Sequence, residues 1–275
     1  MKTINNSFLS FIRNKTIIIF IIPFFLQAFS VIAQAPNYFK YFDQYKVDGS
    51  FILYNTKDST IFEINEARCK QRFIPASTFK IFNSLVGLET AVIKDENFKI
   101  KWDSVVRAEP AWNKTQDMKT AFKNSTVWYY QELARRVGEE KMRNYINLVS
   151  YGNKDISGGI DKFWLTGKLR ISQEEQIELL IKLYNNKLPF SARSQNIVKK
   201  IMLQEDSVSF KLSGKTGWGV QDSLNIGWYI GWVEKNNNVY FFALNIETKD
   251  PDPKNFPVAR VEITKAILRE LKILK

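Results

Sequence analysis

The sequence predicts an α+β fold, in which an antiparallel sheet is assembled from both ends of the chain and a helical lobe is inserted between its halves. Three observations predict it. β-rich runs fall in the first quarter and the last third of the chain, the stretch between them repeats its apolar residues at helical spacing, and a long amphipathic segment closes the C-terminus. With 275 residues, 45% of them hydrophobic and 14% aromatic, there is material for a large core, and a disordered chain is excluded.

The N-terminus stands apart from that fold. Lys2, Arg13 and Lys15 precede an apolar run over 17–26 broken only by Pro23, and small residues follow at Val31-Ile32-Ala33 and Ala33-Gln34-Ala35. This pattern is that of a secretory signal peptide, residues 1–33. Cleavage is expected after Ala33, because a cut after Ala35 would place Pro36 beside the scissile bond, and 34–275 is then the mature domain. An uncleaved anchor is the alternative, since 17–33 is nearly long enough to span a bilayer. With cleavage no stable membrane anchor remains, and the protein is periplasmic or secreted.

The elements follow in order. Residues 49–54 and 60–64 are β-rich and flank the turn Asn55-Thr56-Lys57-Asp58, a hairpin signature. After Pro75 the pattern is helical over about 77–88, with Gly87 a blemish. Two amphipathic stretches, 127–137 and 139–149, are separated by the helix stop Gly138. Ser172-Gln173-Glu174-Glu175 matches a capping box opening a helix to about 184. Ser191 or Ser194 opens the next, to about 203. Strands are expected at 208–212, 226–233 and 239–246, the last two joined through Lys235-Asn236-Asn237-Asn238. Asp250-Pro251-Asp252-Pro253 is a loop, and 258–274 is the closing helix. The helical lobe therefore covers roughly 90–200.

Composition removes several kinds of chemistry. There is no histidine, so no Ser-His-Asp triad can form. Cys69 is the only cysteine, which excludes an internal disulfide and Cys/His metal sites, and no clustered acidic loop offers a carboxylate site for calcium or magnesium. No metal is expected, and Cys69 reads as a small buried residue. The formal charge of +12 falls by three without the leader cations. The remaining lysines are scattered among acids, so they read as a solvated basic surface and not as a nucleic-acid site.

A serine nucleophile without histidine needs another base. Ser77-Thr78-Phe79-Lys80 supplies a candidate, because positions i and i+3 of a helix share a face. Ser77 in the first turn also stands at the positive end of the helix dipole, where an oxyanion is stabilised. Phe73, Ile74, Phe79, Ile81 and Phe82 form an apolar setting, in which burial lowers a lysine's pKa toward the base-competent amine. A Ser-x-x-Lys match alone arises about once by chance in a chain of this size, whereas Lys215-Thr216-Gly217 is rarer. That second stretch follows the 208–212 strand. On an edge strand, its lysine and hydroxyl can hold a substrate carboxylate, and Gly217 admits a ligand close to the backbone.

Together these elements resemble the penicillin-recognising serine acyl-transferases. Ser125-Thr126-Val127, Tyr151-Gly152-Asn153, Phe163-Trp164-Leu165 and Trp228-Tyr229-Ile230-Gly231 resemble, in the right order, the elements of class D (oxacillinase-type) serine β-lactamases. Class A is disfavoured, because no Ser-Asp-Asn element and no Glu-x-x-Leu-Asn loop is present. The resemblance covers essentially the whole mature chain. It implies a serine β-lactamase/transpeptidase-like fold, with N- and C-terminal helices flanking the sheet, and hydrolysis of β-lactams through an acyl-enzyme.

Residue by residue, the resemblance implies that Ser77 is the nucleophile. Lys80 becomes N6-carboxylysine and serves as general base in acylation and deacylation. Trp164 holds that carbamate, Val127 and Leu165 limit solvent around it, and Ser125 relays a proton. Lys215, Thr216 and Arg260 bind the substrate carboxylate, with Gly217 beside them. The backbone N–H groups of Ser77 and Trp218 form the oxyanion hole. Arg260 is otherwise a surface arginine beside Glu262. Trp112 sits either on a loop over the site or in a simple core or surface role, and the Tyr151 element is structural support. The partners are small β-lactams. No metal or organic cofactor is needed, only CO2 or bicarbonate for Lys80, and nothing in the sequence sets an oligomeric state. A penicillin receptor and a D,D-peptidase are the rival readings. The first is disfavoured by the single short leader, the second by Ser125-Thr126-Val127 standing where peptidases have Ser-x-Asn.

Overall fold

Both faces of the sheet are buried at its centre, which explains why 51–53, 226–233 and 239–246 read as almost continuous apolar runs. In β1 (Asp48–Asn55) Phe51 and Leu53 enter one core and Ile52 the other. The structure is a computed structural model that describes residues 37–250 and 253–275. The leader, its cleavage sites and Pro251-Asp252 of the predicted loop lie outside the described residues.

The hairpin predicted at the N-terminal end forms as β1 and β2 (Thr60–Ile64), paired from Phe51↔Ile64 to Asn55↔Thr60. A short ladder, β3 (Lys99–Ile100) with β4 (Gln116–Asp117), stands apart. The rest of the main sheet is β5 (Leu203–Asp206), β6 (Lys211–Gln221), β7 (Leu224–Lys235) and β8 (Asn238–Thr248). The strand order is β2-β1-β8-β7-β6-β5, and every neighbouring pair is antiparallel. The two ends of the chain thus meet where β1 pairs with β8. The β7–β8 turn has Asn236 and Asn237 at φ 51° and 56°, the left-handed pair that a tight hairpin requires and asparagine tolerates.

The predicted strand at 208–212 is displaced. β5, which the sequence did not announce, pairs back on β6 with Glu205↔Leu212 and Asp206↔Lys211, so the chain must reverse at 207–210. The Ser207 hydroxyl caps that turn, accepting from Phe210 N at 3.1 Å, and Val208 is left fully exposed. The β propensity of Val208 and Phe210 yields to the pairing of their flanks.

Helices α1 (Lys40–Asp43) and α9 (Phe256–Glu270) cover one face, packing Phe42, Ala259, Ile263 and Ile267 against Tyr229, Phe242 and Leu244. The final helix stops four residues before the predicted end. Lys272 takes φ 59°, and the N–H of Ile273 returns to Leu268 O at 2.8 Å, which buries Ile273 and Leu274.

On the other face lie α3 (Lys80–Glu89), α5 (Val127–Val137), α7 (Gln173–Tyr184) and α8 (Ala192–Met202). Between the sheet ends the chain also forms α2 (Glu66–Cys69), α4 (Met118–Lys123) and α6 (Glu139–Val149). The capping box at Ser172 is complete, Gly138 separates α5 from α6 at φ 82°, and Ser191, not Ser194, is the N-cap of α8. α3 is buried from Lys80 to Leu88, and its polar face, Lys80, Asn83 and Ser84, is hydrogen-bonded inside the core, Asn83 Nδ2 donating to Tyr130 O at 3.0 Å and Ser84 Oγ lying 2.9 Å from the Tyr130 hydroxyl. Gly87 belongs there because a Cβ would meet Leu133 Cδ1 of α5 at 2.8 Å. Among the described residues no helix is long and apolar enough to cross a membrane.

Candidate active site

The segment 73–79 is tied on every side before it reaches α3. Phe73 and Ile171 exchange both main-chain bonds at 2.9 Å, and Ala76 N donates to Trp164 O at 3.0 Å. Trp228 Nε1 donates to Ile74 O, and Ile74 N donates to Gln221 Oε1, both at 2.8 Å. Ala76 is thereby held at φ 48°, a conformation that an L residue with a side chain seldom adopts.

The helix predicted from Ser77 begins instead as a 3-10 turn, Ala76–Phe79, which runs into α3 at Lys80. In a 3-10 turn positions i and i+3 eclipse, and Lys80 Nζ accordingly lies 2.7 Å from Ser77 Oγ. Both residues are buried. Phe79 stacks on Trp164 at 5.2 Å and meets Phe163 edge-on at 5.1 Å, and the Tyr130 ring lies 5.4 Å from Lys80 Nζ. Burial in this aromatic box, followed by the charge of Lys215, holds the Lys80 amine well below the usual lysine range.

The opposite wall is β6. Because β5 pairs with it only over Lys211–Ser213, the strand beyond has one free edge. Lys215-Thr216-Gly217 therefore lies within a long strand, not after a short one, but on a stretch that β5 does not pair with. Lys215 Nζ donates to Ser125 Oγ and to Thr216 O, each at 3.0 Å. Burial, followed by the Arg260 charge, lowers its pKa to about 7. Arg260 is not a surface residue. It is 9% exposed, donates from Nη1 to Gly217 O at 2.6 Å, and is lowered by burial to about 10. Among the described residues none of Lys80, Lys215 and Arg260 pairs with a carboxylate, so three buried basic groups, Lys80 sensing the charge of Lys215 and Lys215 that of Arg260, make a region that favours an anion.

Gly217 lets the two walls meet, because a Cβ there would stand 3.1 Å from Pro75 O. Trp218 follows, 41% exposed, with Nε1 on Asn225 Oδ1 at 2.8 Å and its ring against Phe256. Thr216, Val127 and Leu165 are half-buried, and Ser125 takes φ 54° just before α5. Trp112 donates to Asn124 O at 3.0 Å and accepts Trp128 Nε1 at its carbonyl, which braces the chain ahead of Ser125.

The Tyr151-Gly152-Asn153 element clamps the loop that carries Trp164. Asn153 donates to Lys168 O at 2.8 Å and accepts from Arg170 N at 2.9 Å, and Tyr151 packs edge-on against Phe79. Three supporting residues escaped the sequence reading. Gln176 Nε2 donates to Thr78 Oγ1 at 3.0 Å, Thr78 Oγ1 donates to Pro75 O at 2.8 Å, and Gln221 receives Ile74 N. Only Gln176 left a signal, as a polar residue on the buried face of α7 beside Ile177 and Leu180.

The penicillin-binding protein transpeptidase domain family matches residues 33–269. β-Lactamase OXA-48 of Klebsiella pneumoniae is 44% identical over 234 residues, covering 85% of this chain and 87% of its own. The class D β-lactamase YbXI from Nostoc shares 45% identity and superposes with a TM-score of 0.82, covering 86% of this chain and 99% of that one. The class D β-lactamase from Sebaldella termitidis ATCC 33386 superposes at 0.84 with 39% identity, covering 88% and 98%.

Proposed function

The chain belongs to the class D β-lactamases, serine hydrolases of β-lactams within the penicillin-binding transpeptidase family, and from that premise we propose which of its residues perform each step. Ser77 Oγ attacks the lactam carbonyl carbon, the ring C–N bond breaks, and the acyl group stays on Ser77. The base is Lys80. The observation that carries this reading is the 2.7 Å approach of a buried, charge-disfavouring Lys80 Nζ to Ser77 Oγ. A free amine adds to CO2 with loss of a proton, and the residues fit the product, because the aromatic box excludes water and Lys215 supplies a compensating charge. In that form Lys80 takes the proton from Ser77 and later activates the water that releases the acyl group.

Trp164 donates its indole N–H to the carboxylated Lys80, and Val127 and Leu165 limit solvent around it. Ser125 passes a proton to the leaving nitrogen, a role supported by its 3.0 Å bond with Lys215. Lys215, Thr216 and Arg260 hold the substrate carboxylate beside Gly217. The N–H groups of Ser77 and Trp218 receive the oxyanion, usually the largest single catalytic contribution. Tyr151 supports the site without entering the chemistry. Residues 1–33 direct export and are removed after Ala33. The mature 34–275 domain, with its helical lobe over roughly 90–200, then acts in the periplasm or outside the cell.

Turnover of a chromogenic cephalosporin by the mature protein, with and without bicarbonate, tests the reading. Sustained turnover that rises with bicarbonate is expected. A single stoichiometric burst with the label retained on Ser77 would make the protein a receptor or a peptidase instead.

A further inference from the structure

The segment 73–79 and β6 meet along a seam, and one polar side chain crosses it. Gln221 is the last residue of β6, facing Leu224 across a turn in which Asp222 and Ser223 take φ 51° and 64°. Its Oε1 accepts the N–H of Ile74 at 2.8 Å, while Trp228 of β7 donates to the carbonyl of the same residue at 2.8 Å. The β6–β7 hairpin thus takes both main-chain polar groups of a residue three positions before Ser77. Between them Ala76 holds φ 48°, which persists only where its surroundings impose it. Close approaches along the seam show how tightly it is set. A Cβ on Gly217 would stand 3.1 Å from Pro75 O, and one on Gly219 would stand 3.2 Å from Ala76 Cβ.

We propose that Gln221 is a positioning residue that sets the spacing between the Ser77 turn and β6, and so the geometry of the oxyanion hole. The inference rests on the reading above, in which Ser77 N–H and Trp218 N–H lie on opposite sides of this seam and act together. Without the Gln221 bond the hairpin tip is released from Ile74, and the two donors lose their common focus. An oxyanion forms in both acylation and deacylation, so both steps depend on Gln221. Lys80 is untouched, so the dependence is independent of bicarbonate. The side chain is only part-buried at an exposed turn, so its replacement leaves the core intact.

The test uses the mature protein, its Gln221→Ala variant and its Gln221→Glu, Asp222→Asn double variant, with acylation and deacylation rates of a chromogenic cephalosporin measured by rapid mixing. In Gln221→Ala both rate constants are expected to fall together by about tenfold, the order expected when donors shift by a fraction of an ångström. Bicarbonate gives no recovery, and the thermal midpoint falls by only a few degrees, because one buried N–H, that of Ile74, loses its acceptor. Gln221→Glu, combined with Asp222→Asn so that no carboxylate faces the new one where Gln221 Nε2 lies 3.5 Å from Asp222 Oδ2, keeps an acceptor at the same reach and restores both rates. Wild-type rates in Gln221→Ala, a loss confined to one step, or a loss that the double variant fails to restore would overturn the inference. Failure of the wild type to turn over, or a label on another residue, would overturn the reading of Ser77 instead.

Discussion

Lys215 Nζ donates to Ser125 Oγ at 3.0 Å, joining the middle of β6 to the residue that precedes the Thr126 cap of α5. Lys215 is lowered to about 7, so its cation is present below that pH and lost above it. Attraction for a substrate carboxylate is lost with it. The pH profile of kcat/KM should therefore descend on the alkaline side with an apparent pKa above 7, because the carboxylated Lys80 nearby also favours the cation, and the corresponding limb of kcat should lie higher still, because a bound carboxylate adds to that attraction. Lys215→Arg, which stays charged, should remove the limb. An unchanged limb in that variant would assign it to another group.

The same depressed lysines make stability depend on pH. The unfolded chain keeps the Lys215 proton up to its ordinary value of 10.5, whereas the native state releases it at about 7, and Lys80 is shifted in the same direction. Between those values the unfolded state binds more protons, so stability rises with pH. The urea midpoint of the wild type should increase from about pH 7 to pH 9, and Lys215→Met should flatten the rise. A midpoint that falls over this range would contradict the assignment.

Trp164 joins two functions that substitutions can separate. Trp164→Phe keeps a ring against Phe79 and removes the indole N–H. Deacylation should slow more than acylation, and bicarbonate should restore part of it. Trp164→Ala adds a cavity costing about 3–5 kcal/mol, which a denaturation curve reads directly. Equal loss in both steps without bicarbonate recovery would remove Trp164 from the base.

Gly152 holds φ 50°, and a Cβ there would lie 2.0 Å from Arg170 O. Gly152→Ala should cost at least about 2 kcal/mol from backbone conformation and clash together. It should also lower turnover, because Asn153 next to it anchors the loop that carries Trp164. Wild-type stability in that variant would mean that the loop shifts freely.

Several elements were legible in the chain alone because their causes lie within a few residues. The Asn236-Asn237 turn, the Ser172 capping box, the Gly138 break and the three-residue spacing of Ser77 and Lys80 each follow from local backbone and hydrogen-bond chemistry. The short motifs were legible too, as a series in a fixed order. Tertiary structure decided the rest, because the rest depends on what is brought near from far along the chain. Pairing of β5 with β6 displaced the strand expected at 208–212. Packing of α3 against α5 and α8 buried Lys80, and that burial, followed by the charge of Lys215, sets its protonation. Contacts such as Gln221 with Ile74, or Arg260 with Gly217, leave no local pattern, since a hydrogen bond between residues distant in sequence constrains neither neighbourhood on its own.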